Sequence, residues 1–204
     1  MKMDSRTVAE LVLHLGRIAC AEALVEGLTA AQWAGLRYFG RANRFSRTPS
    51  AFAAFHGTTR GTASQTIKNL EAQGFLARMR SEADRRSVHL VLTDKAKAML
   101  QNDLFETLVR AAETLPAGAR GQFGNALQRM LGHVALATGK PTFGSCASCS
   151  HLAGDDRGRD GRQSYSCGLA SEPLLLEELD GVCIKFVQGK SLTERGFVIG
   201  TAAR

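Results

Sequence analysis

Residues 59–93 read TRGTASQTIKNLEAQGFLARMRSEADRRSVHLVLT, and this stretch decides the fold. Thr59 caps a helix, because its hydroxyl takes up an amide that the first helical turn leaves without an intrahelical partner. Beyond it, Ala63, Ile67 and Leu70 recur at helical spacing as the inward face, while Arg60, Thr62, Ser64, Gln65 and Lys68 occupy the outer one. Gly74 ends the helix. Residues 75–80 and 87–92 follow as two short strands, the second with Val88, Leu90 and Leu92 in alternation. The turn between them carries Asp84, Arg85 and Arg86.

Working upstream, Thr48-Pro49 starts a short helix through Phe52 and Phe55: the hydroxyl caps an orphan amide, and proline fills the first position, where no intrahelical donor is needed. Gly57 breaks it. A helix capped by Thr29 runs through Trp33, Leu36, Tyr38 and Phe39 to near Asn43. Val8, Leu11, Val12, Leu15, Ile18, Ala19 and Val25 place an amphipathic first helix over residues 7 to about 26. Downstream, Thr93 caps a long helix expected from about 94 to 114, and Pro116 punctuates. Another helix runs from about 117 to 137 through Phe123, Leu127, Met130, Leu131 and Val134. The fold class is mainly α with a small β wing, and residues 1–139 form the main domain.

Charge is concentrated in the same region. The 204 residues carry a formal net charge of +7. Between positions 37 and 86 ten basic residues (Arg37, Arg41, Arg44, Arg47, Arg60, Lys68, Arg78, Arg80, Arg85 and Arg86) face three acidic ones (Glu71, Glu82 and Asp84), so the remainder is neutral. A polyanion-binding surface requires such a concentration, since each neutralised phosphate releases condensed counterions. The 44% apolar and 22% charged content excludes general disorder. Asp4, Arg6 and Glu10 interrupt any leader-like apolar run, and no stretch is long and apolar enough for a membrane helix, so a soluble, cytoplasmic protein is expected. Paired carboxylates, a nucleophile with its base and a phosphate loop do not appear, which argues against an enzyme.

The helix-turn-helix over 48–74, with NLEAQGFLAR at 69–78, and the wing DRRSVHLVLT at 84–93 resemble the MarR family of bacterial transcriptional regulators. With the flanking helices the resemblance covers about residues 7–138. It implies a winged helix-turn-helix with a helical dimerisation region, a homodimer built from the first and the two last helices, and double-stranded DNA with a near-palindromic operator as partner. Arg86 falls on the wing arginine that enters the flanking minor groove, and Asp84 on the residue that holds the turn. Thr59, Arg60, Thr62, Ser64, Gln65, Lys68 and Arg85 complete the expected DNA-binding set, arginine and glutamine being able to grip base edges with two bonds. Thr59, Thr62 and Lys68 serve equally as phosphate contacts. Gly61 in the first helical turn and Gln65, where members often carry a basic residue, depart from the family pattern.

After Pro141 the composition turns to glycine, serine and cysteine, and residues 140–204 read as a separate extension. Cys146, Cys149, Cys167 and Cys183 follow C-x2-C-x17-C-x15-C, four of the five cysteines in the chain. Soft thiolates hold zinc or iron–sulfur clusters, and one CxxC turn aims two sulfurs at a common centre. One knuckle with two separated single cysteines is closer to many iron–sulfur sites than to the double knuckle of structural zinc, and both metals stay open. His151 is either a participant at that site or a solvated neighbour, and Cys20 reads as a small buried thiol in the first helix. Residues 172–179 are expected as a short helix.

These features lead to a sequence-specific DNA-binding repressor modulated through a C-terminal iron–sulfur or zinc site. The alternative is a structural zinc with sensing of a small acid in the interhelical pocket typical of the family. An iron–sulfur redox or nucleic-acid-processing protein and a partner-recruiting module are the rivals from other classes.

Overall fold

The computed structural model describes residues 3–20, 27–80, 88–101, 103, 105–155 and 164–190. Helix α1 (Ser5–Cys20) is followed by α2 (Ala30–Arg41). The latter starts in a reciprocal capping box: Gln32 N donates to Thr29 Oγ1 at 3.3 Å and Thr29 N donates to Gln32 Oε1 at 2.8 Å. Helix α3 (Pro49–His56) begins at Thr48, whose Oγ1 accepts from Ala51 N at 3.2 Å. It stops at Gly57, where a φ of 59° places the backbone in the left-handed region that favours glycine. Helix α4 (Arg60–Ala72) follows at once under the Thr59 cap.

Ala63, Ile67 and Leu70 of α4 are buried, as their spacing predicts, against Leu36 and Phe39 of α2 and Phe52 of α3. The Phe39 and Phe52 rings stack with centroids 5.3 Å apart. Strands β1 (Leu76–Arg80) and β2 (Val88–Leu92) pair antiparallel, with Leu76 opposite Leu92 and Arg80 opposite Val88. The two expected strands therefore pair as a hairpin. Its turn, with Asp84, Arg85 and Arg86, lies outside the described residues.

The single helix expected after Thr93 is two: α5 (Asp94–Leu100) and α6 (Phe105–Glu113). The break has a tertiary cause. Asp103 turns inward to Arg37 of α2, and its Oδ1 also accepts from Phe105 N at 2.9 Å, starting the second helix. Helix α7 (Ala117–Thr138) ends at Gly139 with a left-handed φ. Neither α6 nor α7 contains a buried residue. Leu11, Leu15 and Ile18 of α1 and Phe123, Leu131 and Val134 of α7 are exposed in the chain by itself. The side chain of Cys20 lies outside the described part. No helix among the described residues is long and apolar enough to cross a membrane.

The remainder is a small β module: β3 (Gly144–Ser145) pairs with β7 (Val182–Cys183), and β4 (Leu152–Asp155), β5 (Ser164–Cys167) and β6 (Glu172–Leu174) form an antiparallel sheet. The helix expected over 172–179 is thus an edge strand followed by one short turn at Leu176–Glu178. Pro173 explains the difference, since it disfavours helical backbone at Glu172 and is tolerated at a sheet edge. Leu152, Tyr165, Leu174 and Leu179 make a second small core, and Phe45 from the winged-helix unit packs against it.

Candidate functional site

Two constellations stand out, and a short connector joins them. The first is the outer face of α4. Thr62 N donates to Thr59 Oγ1 at 3.1 Å, so the cap is spent on the helix itself. Arg60, Thr62, Ser64, Gln65 and Lys68 are all exposed while the opposite face is buried. Gln65 Nε2 donates to Asn69 Oδ1 at 3.0 Å, which lays its carboxamide along the helix. Glu71, the one acidic residue of α4, is answered by Arg78 of β1, whose Nε and Nη2 donate to its two oxygens at 2.6 and 3.1 Å. Among the described residues Arg60 and Lys68 form no ion pair.

Not all of the basic segment contributes to that face. Arg37 is paired with Asp103. Arg44 lies over the Phe45 ring and forms ion pairs with Glu178 at 3.3 Å and Glu172 at 3.5 Å. Arg41 donates to Asp180 O, and Arg47 Nε to Ala42 O at 2.9 Å. The sequence excess of positive charge is therefore divided between an exposed helix face and structural anchoring.

The second constellation is the cysteine quartet. Cys146 and Cys149 flank the tight turn Cys146–Ser148, with Cys149 N donating to Cys146 O at 3.0 Å. Cys167 closes β5 opposite Leu152, and Cys183 closes β7 opposite Gly144. All four line one cavity of about 40 Å³, together with Asn43, Phe45, His151 and Lys185. None of them is in a disulfide. The fold thus brings thiols up to 37 positions apart in the chain to one cavity. No three His, Cys, Asp or Glu side chains among the described residues close on a single ion position. Burial pushes the Cys146 thiol up to about 11; a bond from Asn43 opposes the rise, and the other three cysteines add to it. A cation at the cavity would reverse that balance, because mutual repulsion among thiolates becomes shared attraction.

Asn43 is the residue that sequence reasoning did not single out. It is 3% exposed, and its Nδ2 donates to Cys146 Sγ at 3.6 Å across 103 positions. An asparagine just past a helix end looks like a terminator, and no local signal distinguishes it from one. His151 is half-buried at the cavity wall.

Residues 26–87 match the model of the MarR family. Among solved structures, the chain is similar to a MarR transcriptional regulator from Methanosarcina mazei Go1, with 20% identity, a TM-score of 0.49, and coverage of 66% of this chain and 100% of that one. The S. aureus MepR–DNA complex aligns with 18% identity and a TM-score of 0.48 over 65% of this chain and 99% of that one. Streptococcus pneumoniae FabT in complex with DNA aligns with 21% identity and a TM-score of 0.44 over 65% and 94%. No curated protein matches.

Proposed function

We propose that this chain is a non-enzymatic, DNA-binding transcriptional repressor of the MarR type, whose grip on DNA is modulated by an iron–sulfur cluster held by Cys146, Cys149, Cys167 and Cys183. The observation that carries the DNA-binding part is α4: a capped helix with a buried apolar face and an exposed row of Arg60, Thr62, Ser64, Gln65 and Lys68, inside the segment that matches the family. Arg60 and Gln65 are suited to base edges, and Thr59, Thr62 and Lys68 to phosphates. Asp84, Arg85 and Arg86 join them by the family resemblance of the wing.

The exposed apolar residues of α1 and α7 favour a homodimer, which would set two α4 helices against successive major grooves of a near-palindromic duplex. Residues 1–139 supply that DNA-binding and dimerisation domain, and residues 140–204 the thiol module.

One CxxC knuckle with two separated single cysteines is closer to many iron–sulfur sites than to the double knuckle of structural zinc, and the four thiols line one cavity. That arrangement favours the cluster, which when bound supplies a redox-sensitive centre. The chain's own contribution is to hold four sulfurs within a largely apolar wall and to donate an N–H to one of them.

Protein purified without oxygen should contain iron and acid-labile sulfide and bind a selected duplex in preference to heparin, and replacing the four cysteines by serine should abolish the metal and the regulation. Colourless protein with stoichiometric zinc would instead favour a structural site, with sensing of a small acid between the helices. Indifference between specific duplex and heparin would defeat the DNA-binding reading.

A further inference from the structure

The thiol module and the winged helix meet along residues 41–47, and the contact is dense. Asn43 N donates to Val182 O at 2.9 Å, immediately beside Cys183, and Ala42 bridges to Val182. Ile184 N donates to Ser46 Oγ at 3.2 Å, while Tyr38 Oη of α2 donates to Ser46 O at 2.7 Å. One step further, Leu90 N of the wing strand β2 donates to Arg47 O at 2.8 Å, and Thr48 caps α3. Consecutive hydrogen bonds along residues 43–48 thus link the thiol module to the wing and to the start of the helix-turn-helix.

Asn43 is also half-satisfied. Its Nδ2 reaches Cys146 Sγ, yet its buried Oδ1 has no hydrogen-bond partner among the described residues. The carboxamide is therefore held in place by the sulfur contact and the pinned backbone rather than by a full set of bonds. A metal-held thiolate is a stronger hydrogen-bond acceptor than a free thiol, so that contact tightens when the site is loaded and slackens when it is empty.

We infer that Asn43 is the positioning residue that couples the thiol site to the DNA-reading surface: its bond to Cys146 fixes the connector at 41–47 when the site is loaded and releases it when the site is empty. The inference rests on the metal-holding reading of the quartet. It adds a residue from the winged-helix unit to the thiol site, and it gives regulation a physical route that needs no ligand between the helices.

The test uses the full-length chain purified without oxygen as wild type, Asn43→Leu and Asn43→Asp. Leucine is close in shape and removes the orphan oxygen, while aspartate keeps the shape and removes the donor. For each, metal content, the rate of metal loss to a chelator and the affinity of loaded and stripped protein for one selected duplex are measured. Wild type is expected to change its Kd by about tenfold between the two states. Both variants should load metal, lose it about tenfold faster, and bind duplex with loaded and stripped affinities within about twofold of each other. Loaded variants that keep the wild-type ratio overturn the inference, as do variants that cannot hold metal yet bind duplex as stripped wild type does. A wild-type chain without metal, or with equal affinity in both states, brings down the metal reading itself and is recognised without any variant.

Discussion

Arg37 and Asp103, 66 positions apart, form a two-pronged ion pair that locks α2 to the break between α5 and α6. The Asp103 side chain is 4% exposed and that of Arg37 18%. Arg37 also donates to Ala19 O at the end of α1 and lies over the Trp33 and Phe105 rings, so one guanidinium ties three helices together. Breaking a buried pair from one side leaves an uncompensated charge, which costs about 3 kcal/mol. Asp103→Ala should therefore lower the stability read by urea denaturation by about that much and shorten α6 at its start. A loss below about 1 kcal/mol would show that the pair is dispensable.

On the outer face of α4, Arg60→Ala and Lys68→Ala should separate base reading from phosphate anchoring. Arg60→Ala is expected to cost about 1 to 3 kcal/mol on the preferred duplex and much less on a random one. Lys68→Ala should weaken both about equally and reduce the slope of log affinity against log salt by about 1. Neither should change the circular dichroism spectrum, since both side chains are exposed. Titrations across a salt series decide the assignment, and equal losses on both duplexes for Arg60→Ala would place it on the backbone.

Val134 of α7 is 59% exposed and Leu15 of α1 42% exposed, on helices whose apolar faces the described chain leaves uncovered. A charge there should oppose association, because a buried unpaired carboxylate is strongly disfavoured. Val134→Glu is predicted to convert a dimer to a monomer in light scattering and to weaken duplex binding by the loss of the second half-site. An unaltered mass with full binding would move the dimer interface elsewhere.

Gly181 sits where the thiol module presses on the connector: a Cβ there would lie 2.9 Å from Asn43 Cβ and 3.1 Å from Glu178 O. Backbone and Cβ atoms have little freedom to yield, so Gly181→Ala should cost about 1 to 3 kcal/mol and displace the module from residues 42–44. Hydrogen exchange at the Asn43 amide, which donates to Val182 O, should rise relative to amides within α4. Unchanged protection at Asn43 would show that the contact relaxes by other means.

Much of the fold was legible because it is dictated locally. Thr29, Thr48, Thr59 and Thr93 each cap the helix that their sequence announces, and the apolar spacing of α4 puts Ala63, Ile67 and Leu70 in the core without reference to distant residues. The four cysteines of the C-x2-C-x17-C-x15-C stretch come to line one cavity. Tertiary structure alone decided the rest, because the deciding partners are far away in the chain. Arg37 draws Asp103 inward and splits an otherwise continuous helical pattern, while the sheet edge and Arg44 claim Glu172 and Glu178 from a stretch that reads as helix. The Asn43 bond to Cys146 spans 103 positions, and no periodicity or propensity along the chain encodes a contact of that range.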